Sequence, residues 1–254
     1  MQTLALLTAA LAWQEHVKAE GIVLAKQQPA AAAGSEDTAL PGGFAADPEP
    51  AGTTEKQGAK AAKKRPQIIY ASRTHAQVAQ VIAELKRTPY APSTVVLASR
   101  QHYCIHQVVS ASAGREQECT KRLASDPVAC EHYPRAEDLA NYVRGDILDV
   151  EELAAAGREH GGCPYFAARS MAQSADLVMC PYNYIIDPGV RAAMGVELAG
   201  AVVLLDEAHN IENACTEAGS FESGLPALEA ATRARALPLA HTGAACDSSR
   251  SHGR

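Results

Sequence analysis

A mostly parallel α/β sheet interrupted by a cysteine-bearing insertion is the fold that three observations predict. Short apolar runs recur along the chain: QIIYA at 67–71, TVVLA at 94–98, LVMC at 177–180 and AVVLL at 201–205. Helix-like or irregular sequence separates each from the next, and strands that alternate with helices pair in parallel because the crossover returns the chain to the same end of the sheet. The last run delivers two adjacent carboxylates, Asp206 and Glu207, and then His209. Between residues 100 and 163 the alternation breaks, and four cysteines stand in the break.

A chain of 254 residues, 47% hydrophobic, can bury a core and carry one domain with an insertion. A net charge of −6 and a pI near 5.8 exclude a strongly basic nucleic-acid coat, although local patches can still meet phosphates. No apolar run reaches the length of a membrane span, so no membrane partner is expected. The opening MQTLALLTAALAWQ has the apolar core of a signal peptide but lacks its basic leading segment. The seven cysteines are odd in number and crowd the second half, which suits metal binding better than a disulfide framework. A cytosolic or nuclear protein is expected.

Taken in order, Thr3 to Leu24 is Ala/Leu-rich with helical periodicity, Leu4, Leu7, Leu11 and Val17 falling near one face. From Gln27 to Lys64 the sequence turns to Ala, Gly, Pro and charge, and reads as a disordered loop ending in the basic run Lys60–Arg65. After the strand at 67–71 come Ser72-Arg73-Thr74-His75 and a helix with Val78, Val81, Ile82 and Leu85 on one face. Residues 151–159 and 165–173 read as helices, the third strand ends at Pro181-Tyr182-Asn183-Tyr184, and a short helix precedes the strand at 201–205. Past Cys215 the sequence carries no packing signal.

The run AVVLLDEAHNIE, 201–212, reads as a buried strand that delivers acids to its C-terminal end, where open α/β sheets hold ligands. An Asp there suits Mg²⁺, which prefers hard oxygen ligands, and the following Glu suits polarising a water. The plainer alternative is a pair of acids capping the next helix.

Cys104, Cys119, Cys130 and Cys163 follow the pattern C-x14-C-x10-C-x32-C in polar contexts. Four thiolates close a tetrahedral zinc site or hold an iron–sulfur cluster. Short C-x2-C knuckles are absent and Pro164 follows the last cysteine, which leans towards a cluster. His102, His106, His132 and His160 keep a mixed Cys/His zinc site open, and four free buried cysteines are also a common outcome.

Together, SRTH after a strand, the four spaced cysteines, CPYNYIID and LLDEAHNIE resemble the iron–sulfur DNA helicases of superfamily 2, the XPD-like group, and within it the Fanconi anaemia group J branch. The resemblance covers roughly residues 1–220 without the low-complexity loop. It implies part of a RecA-like (P-loop NTPase) α/β domain with a largely helical iron–sulfur insertion. The chain then divides into a helix following the phosphate loop at 1–26, the loop at 27–66, RecA-like core at 67–99, the cluster insertion at 100–164, core with the DEAH box at 165–214, and a tail at 215–254. Carried over, Cys104, Cys119, Cys130 and Cys163 bind a [4Fe–4S] cluster. Asp206 binds the Mg²⁺ of ATP, Glu207 helps activate water, and His209 couples the nucleotide to motor motion. Thr3 matches the Mg²⁺-coordinating hydroxyl. Ser72, Arg73, Thr74 and His75 match the DNA-contacting motif Ia, with Thr74 or Ser72 as plain helix caps in the competing reading, and Arg100 is a further DNA-contact candidate. Tyr182 and Tyr184 read as core packing.

One departure is prominent. The family's phosphate loop needs glycines and a Lys, and here Met1-Gln2 stand where Gly-Lys should precede Thr3. The expectation is a helicase fragment acting on single-stranded or forked DNA in repair, in the nucleus, that does not turn over ATP by itself. The alternative is a non-enzymatic DNA-binding module built around a metal or iron–sulfur site.

Overall fold

Runs of Ile, Val, Leu and Met short enough to be buried on both faces form the strands. In the computed structural model, which describes residues 2–20, 66–125 and 129–220, they are Ile68–Ser72 (β1), Thr94–Val96 (β2), Leu177–Pro181 (β3) and Val202–Leu205 (β4). They make one sheet in the order β2-β3-β1-β4. Every pairing is parallel, with Ile69 opposite both Val178 and Val203, and Val95 opposite Val178. This is the mostly parallel α/β sheet that the alternating apolar runs predict, and all four strands run in one direction, so their C-terminal ends lie on the same side.

β1 and β2 are buried throughout. Hydrogen bonding continues past β2, since Leu97 N–H donates to Met179 O at 2.8 Å. β4 corrects the expectation of a buried strand at 201–205: only Leu204 is buried and Val203 is 40% exposed. Like β2 it lies at a sheet edge, pairing among the described residues with β1 alone, but unlike β2 its faces are only partly covered.

Gln2–Glu20 (α1) lays Leu7, Leu11 and Val17 into the core, while Leu4 is half-buried and Leu6 is exposed. Gln14, buried on the same face, donates from Nε2 to Pro66 O at 2.7 Å and Asp176 O at 2.9 Å, tying α1 to the entry of β1 and β3. His75–Leu85 (α2) follows β1. Thr74 caps it in a reciprocal capping box with Gln77, and Val78, Val81, Ile82 and Leu85 are buried as the periodicity predicts.

Between β2 and β3 the chain forms a set of short helices: Arg100–Tyr103 (α3), Gln107–Ala111 (α4), Arg115–Ser125 (α5), Ala136–Tyr142 (α6), Val150–His160 (α7) and Pro164–Ala172 (α8). Asp149 and Glu152 form a capping box at the start of α7, and Lys86 at the end of α2 meets Glu152 at 2.6 Å. Asn183–Ile186 (α9), Pro188–Met194 (α10) and Ile211–Gly219 (α11) complete the unit Met1–Gly219. Tyr182 and Tyr184 are both buried, and Cys180 is fully buried on β3. The expectations for 21–65 and 221–254, Cys246 included, lie outside the described residues.

The turn before Cys163 is built from glycines. Gly161 ends α7 at φ 75°. A Cβ on Gly162 would lie 2.5 Å from Arg135 O and 2.6 Å from Leu139 Cβ, so backbone would have to shift. We therefore expect Gly162→Ala to lower the free energy of unfolding by about 1–3 kcal/mol, read from the urea midpoint.

Candidate functional site

The ends of β1 and β4 create the first cluster. Asp206 N–H donates to Ala71 O at 2.9 Å, the last rung between the two strands. The next residue, Glu207, takes φ 50° and ψ 45°, a left-handed conformation that costs a non-glycine residue about 1 kcal/mol. Asn210 holds that turn, its N–H donating to Glu207 O at 3.0 Å and its Nδ2 to the same oxygen at 3.2 Å.

Thr3, in the first turn of α1, donates from Oγ1 to Asp206 Oδ1 at 2.9 Å, across 203 residues of sequence. Three of the predicted nucleotide-site residues are thus together. His209 lies on the solvent side, exposed, its Nδ1 3.3 Å from Glu207 Oε2. Sequence reasoning missed two tyrosines here. Burial and then the Asp206 carboxylate raise the pKa of the Tyr70 phenol. Tyr182 donates its hydroxyl to Asp206 O. A phenol at a strand exit is ordinary core sequence, and only the sheet order brings it to Asp206.

The SRTH segment divides. Ser72 is fully buried at the end of β1, and its hydroxyl donates to Gln77 Oε1 at 2.9 Å, so the side chain faces inward. Thr74 serves as the helix cap, and Arg73 is exposed. His75 opens α2 with its ring centroid 4.7 Å from that of His102 on α3. Its Nδ1 is buried without a hydrogen-bond partner among the described residues. Burial, then His102, lowers its pKa from 6.5 to about 4.

Arg100 corrects its assignment as a DNA contact. It is 3% exposed, pairs with Glu116 at 2.7 Å and lies 4.1 Å over the Tyr165 ring. Its guanidinium also reaches the Cys119 thiol and favours the thiolate there, although burial dominates and raises that pKa.

Cys104, Cys119, Cys130 and Cys163 line one small cavity of about 20 Å³, with Ile105, Val109, Leu123, Tyr133 and Phe166 among the rest of its wall. Cys163 N–H donates to His132 O at 2.9 Å, which fixes its approach to the Cys130 segment. His106 and His132 share this wall, their ring centroids 6.3 Å apart. Cys130 and Cys163 are buried, contrary to the polar contexts in the sequence. Burial raises Cys104, and pushes Cys163 up to about 12. Among the described residues no three His, Cys, Asp or Glu side chains are gathered closely enough for a single ion.

The DEAD_2 family model matches residues 70–225. Over 231 residues the chain is 39% identical to regulator of telomere elongation helicase 1 from Bos taurus, covering 87% of this chain and 18% of that protein. It is 42% identical to the Fanconi anemia group J protein homolog from Gallus gallus over 167 residues, 61% of this chain. The chain spans less than a fifth of the length of these relatives, 18% for the Homo sapiens counterpart. A solved structure titled XPD_Helicase aligns with 58% of the chain and 25% of its own at 18% identity and a TM-score of 0.39.

His75 binds a proton less readily folded than unfolded, so its contribution to stability is present above about pH 6.5 and is lost as pH falls towards 4. In urea titrations, His75→Asn should flatten the loss of stability between those pH values relative to the unsubstituted chain. Arg100→Ala, which strips the cation from beside Glu116, should cost about 2–3 kcal/mol in the same assay, short of a fully buried pair because Glu116 is 39% exposed.

Proposed function

Since the chain belongs to the DEAD_2 family, we propose that it is part of the first motor domain of an ATP-dependent DNA helicase of the XPD-like group, bearing an iron–sulfur insertion. The observation that supports this best is the meeting of Thr3 with Asp206 at the ligand end of a parallel sheet. A hydroxyl and a carboxylate side by side are the hard-oxygen pair that Mg²⁺ on a nucleotide needs. Glu207, exposed one residue later, would orient and polarise water. His209 faces solvent beside it, where a nucleotide-dependent contact from elsewhere in the motor would find it.

On the DNA side, Arg73 is the exposed cation of SRTH, and Thr74 and the first amides of α2 lie next to it. Such a strand-exit loop and helix start bind backbone phosphates. Ser72 then acts by shaping the loop rather than by touching DNA. We propose single-stranded or forked DNA as the partner, repair as the process and the nucleus as the compartment, in keeping with the helicase and Fanconi anemia names of the relatives.

Cys104, Cys119, Cys130 and Cys163 would hold a [4Fe–4S] cluster. The donor chemistry fits: four thiols share one cavity whose wall holds no carboxylate and is mostly apolar. Once bound, the group would supply a rigid cross-link between four segments of the insertion. Because burial favours the neutral thiols of Cys104, Cys119 and Cys163, loading has to release protons, so uptake should be favoured by raising pH. Arg100 beside Cys119 would offset part of the thiolate charge.

Protein purified without oxygen should be brown and carry about four irons per chain, and Cys130→Ser should lose most of them. Colourless protein with one zinc would remove the cluster. The 254 residues contain no Gly-Lys phosphate loop, so we expect no DNA-stimulated ATP turnover from this chain alone. Turnover abolished by Glu207→Gln would overturn that expectation.

A further inference from the structure

Tyr182 is a buried phenol at the exit of β3, and the sheet order makes its reach unusual. β3 and β4 lie on opposite sides of β1. A group leaving β3 and touching the end of β4 must therefore cross the end of β1, two interstrand steps of about 4.8 Å each. Tyr182 does so with its full length. Its backbone N–H donates to Ser72 O at 3.0 Å, pinning it to β1, and its hydroxyl donates to Asp206 O, the carbonyl that leads into the strained Glu207. Its side chain is otherwise packed away, with the residue 3% exposed.

We propose that Tyr182 is a positioning residue that holds the carboxylate turn and the Arg73-bearing exit of β1 in one shared geometry, so that ion binding at Asp206 is felt at Arg73. The proposal rests on the reading of Asp206 as a Mg²⁺ ligand. The backbone gives the physical route. Asp206 is held at three points: its N–H by Ala71, its carboxylate by Thr3 and its carbonyl by Tyr182. A shift of the carboxylate towards a cation strains the other two, and the one at Tyr182 is continuous through its backbone with Ser72. The phenol's surroundings agree with this position, because the Asp206 and Glu207 carboxylates raise its pKa beyond the effect of burial while the Arg73 guanidinium lowers it. The phenol therefore lies within electrostatic reach of both groups that it is proposed to connect.

The test uses the full 254-residue chain, Mg²⁺ alone as the probe, and NMR signals from the Arg73 amide and the ¹³Cζ-labelled tyrosine rings. In the unsubstituted chain, Mg²⁺ should shift both the Tyr182 ring signal and the Arg73 amide, and Asp206→Asn should abolish both responses. Tyr182→Phe keeps the packing and removes the hydroxyl. It should retain Mg²⁺ affinity within about threefold while the Arg73 response falls to less than a third. An Arg73 response unchanged in Tyr182→Phe, with binding still dependent on Asp206, overturns the positioning role and leaves the site reading intact. A Mg²⁺ response that is absent from the unsubstituted chain or survives Asp206→Asn removes the site reading itself. Should Tyr182→Phe fail to fold, the unsubstituted chain still decides: Asp206-dependent binding that leaves the Tyr182 ring signal unmoved overturns the proposal.

Discussion

The parallel register of β1 between β3 and β4 is the constraint on which the rest of the molecule depends. Because Ala71 and Leu205 are opposite one another, Asp206 leaves the sheet beside Ser72, and the carboxylate turn and the SRTH segment become neighbours rather than distant features. A slip of one residue would turn Leu204 out of the core and aim the Asp206 carboxylate to the other face. The buried Ile68, Ile69 and Tyr70 resist that slip, since each has a defined partner on both sides.

Against this frame the insertion is organised by different physics. Its helices are short, and their positions come from caps and close backbone contacts: Asp149 with Glu152, Gly162 against Arg135, Cys163 against His132. Arg100 is the largest polar group buried there, paired with Glu116 and set over the faces of Tyr165 and Phe166. A cation over aromatic rings beside a thiol keeps that corner polar without opening it to water.

Much of this was legible in the sequence, for identifiable reasons. Strands and α2 announced themselves because burial imposes a period, and Val78, Val81, Ile82 and Leu85 obey it. The DEAH spelling and the four cysteines stood out as candidates because residue types are visible in a string. Exposure was not. β4 read as buried because AVVLL looks the same whether or not both faces of the strand are covered, and only tertiary packing tells the two cases apart. Arg100 and Ser72 read as DNA contacts because a cation and a hydroxyl near a motif invite that role, whereas their inward rotamers are set by Glu116 and Gln77, partners fixed by tertiary structure. The link from Tyr182 to Asp206 was hidden for the same reason: it depends on which strands are neighbours.

The hydrogen bond between Thr3 and Asp206 has a consequence in time. Its two residues are 203 positions apart. At about 5–20 residues per second of synthesis, Thr3 is made roughly 10–40 s before the carboxylate it will meet. During that interval α1 can already pack Leu7 and Leu11, but its first turn faces no acid. α1 is thus finished by a turn made much later, and the pair forms only when the intervening sheet has been assembled in its correct order.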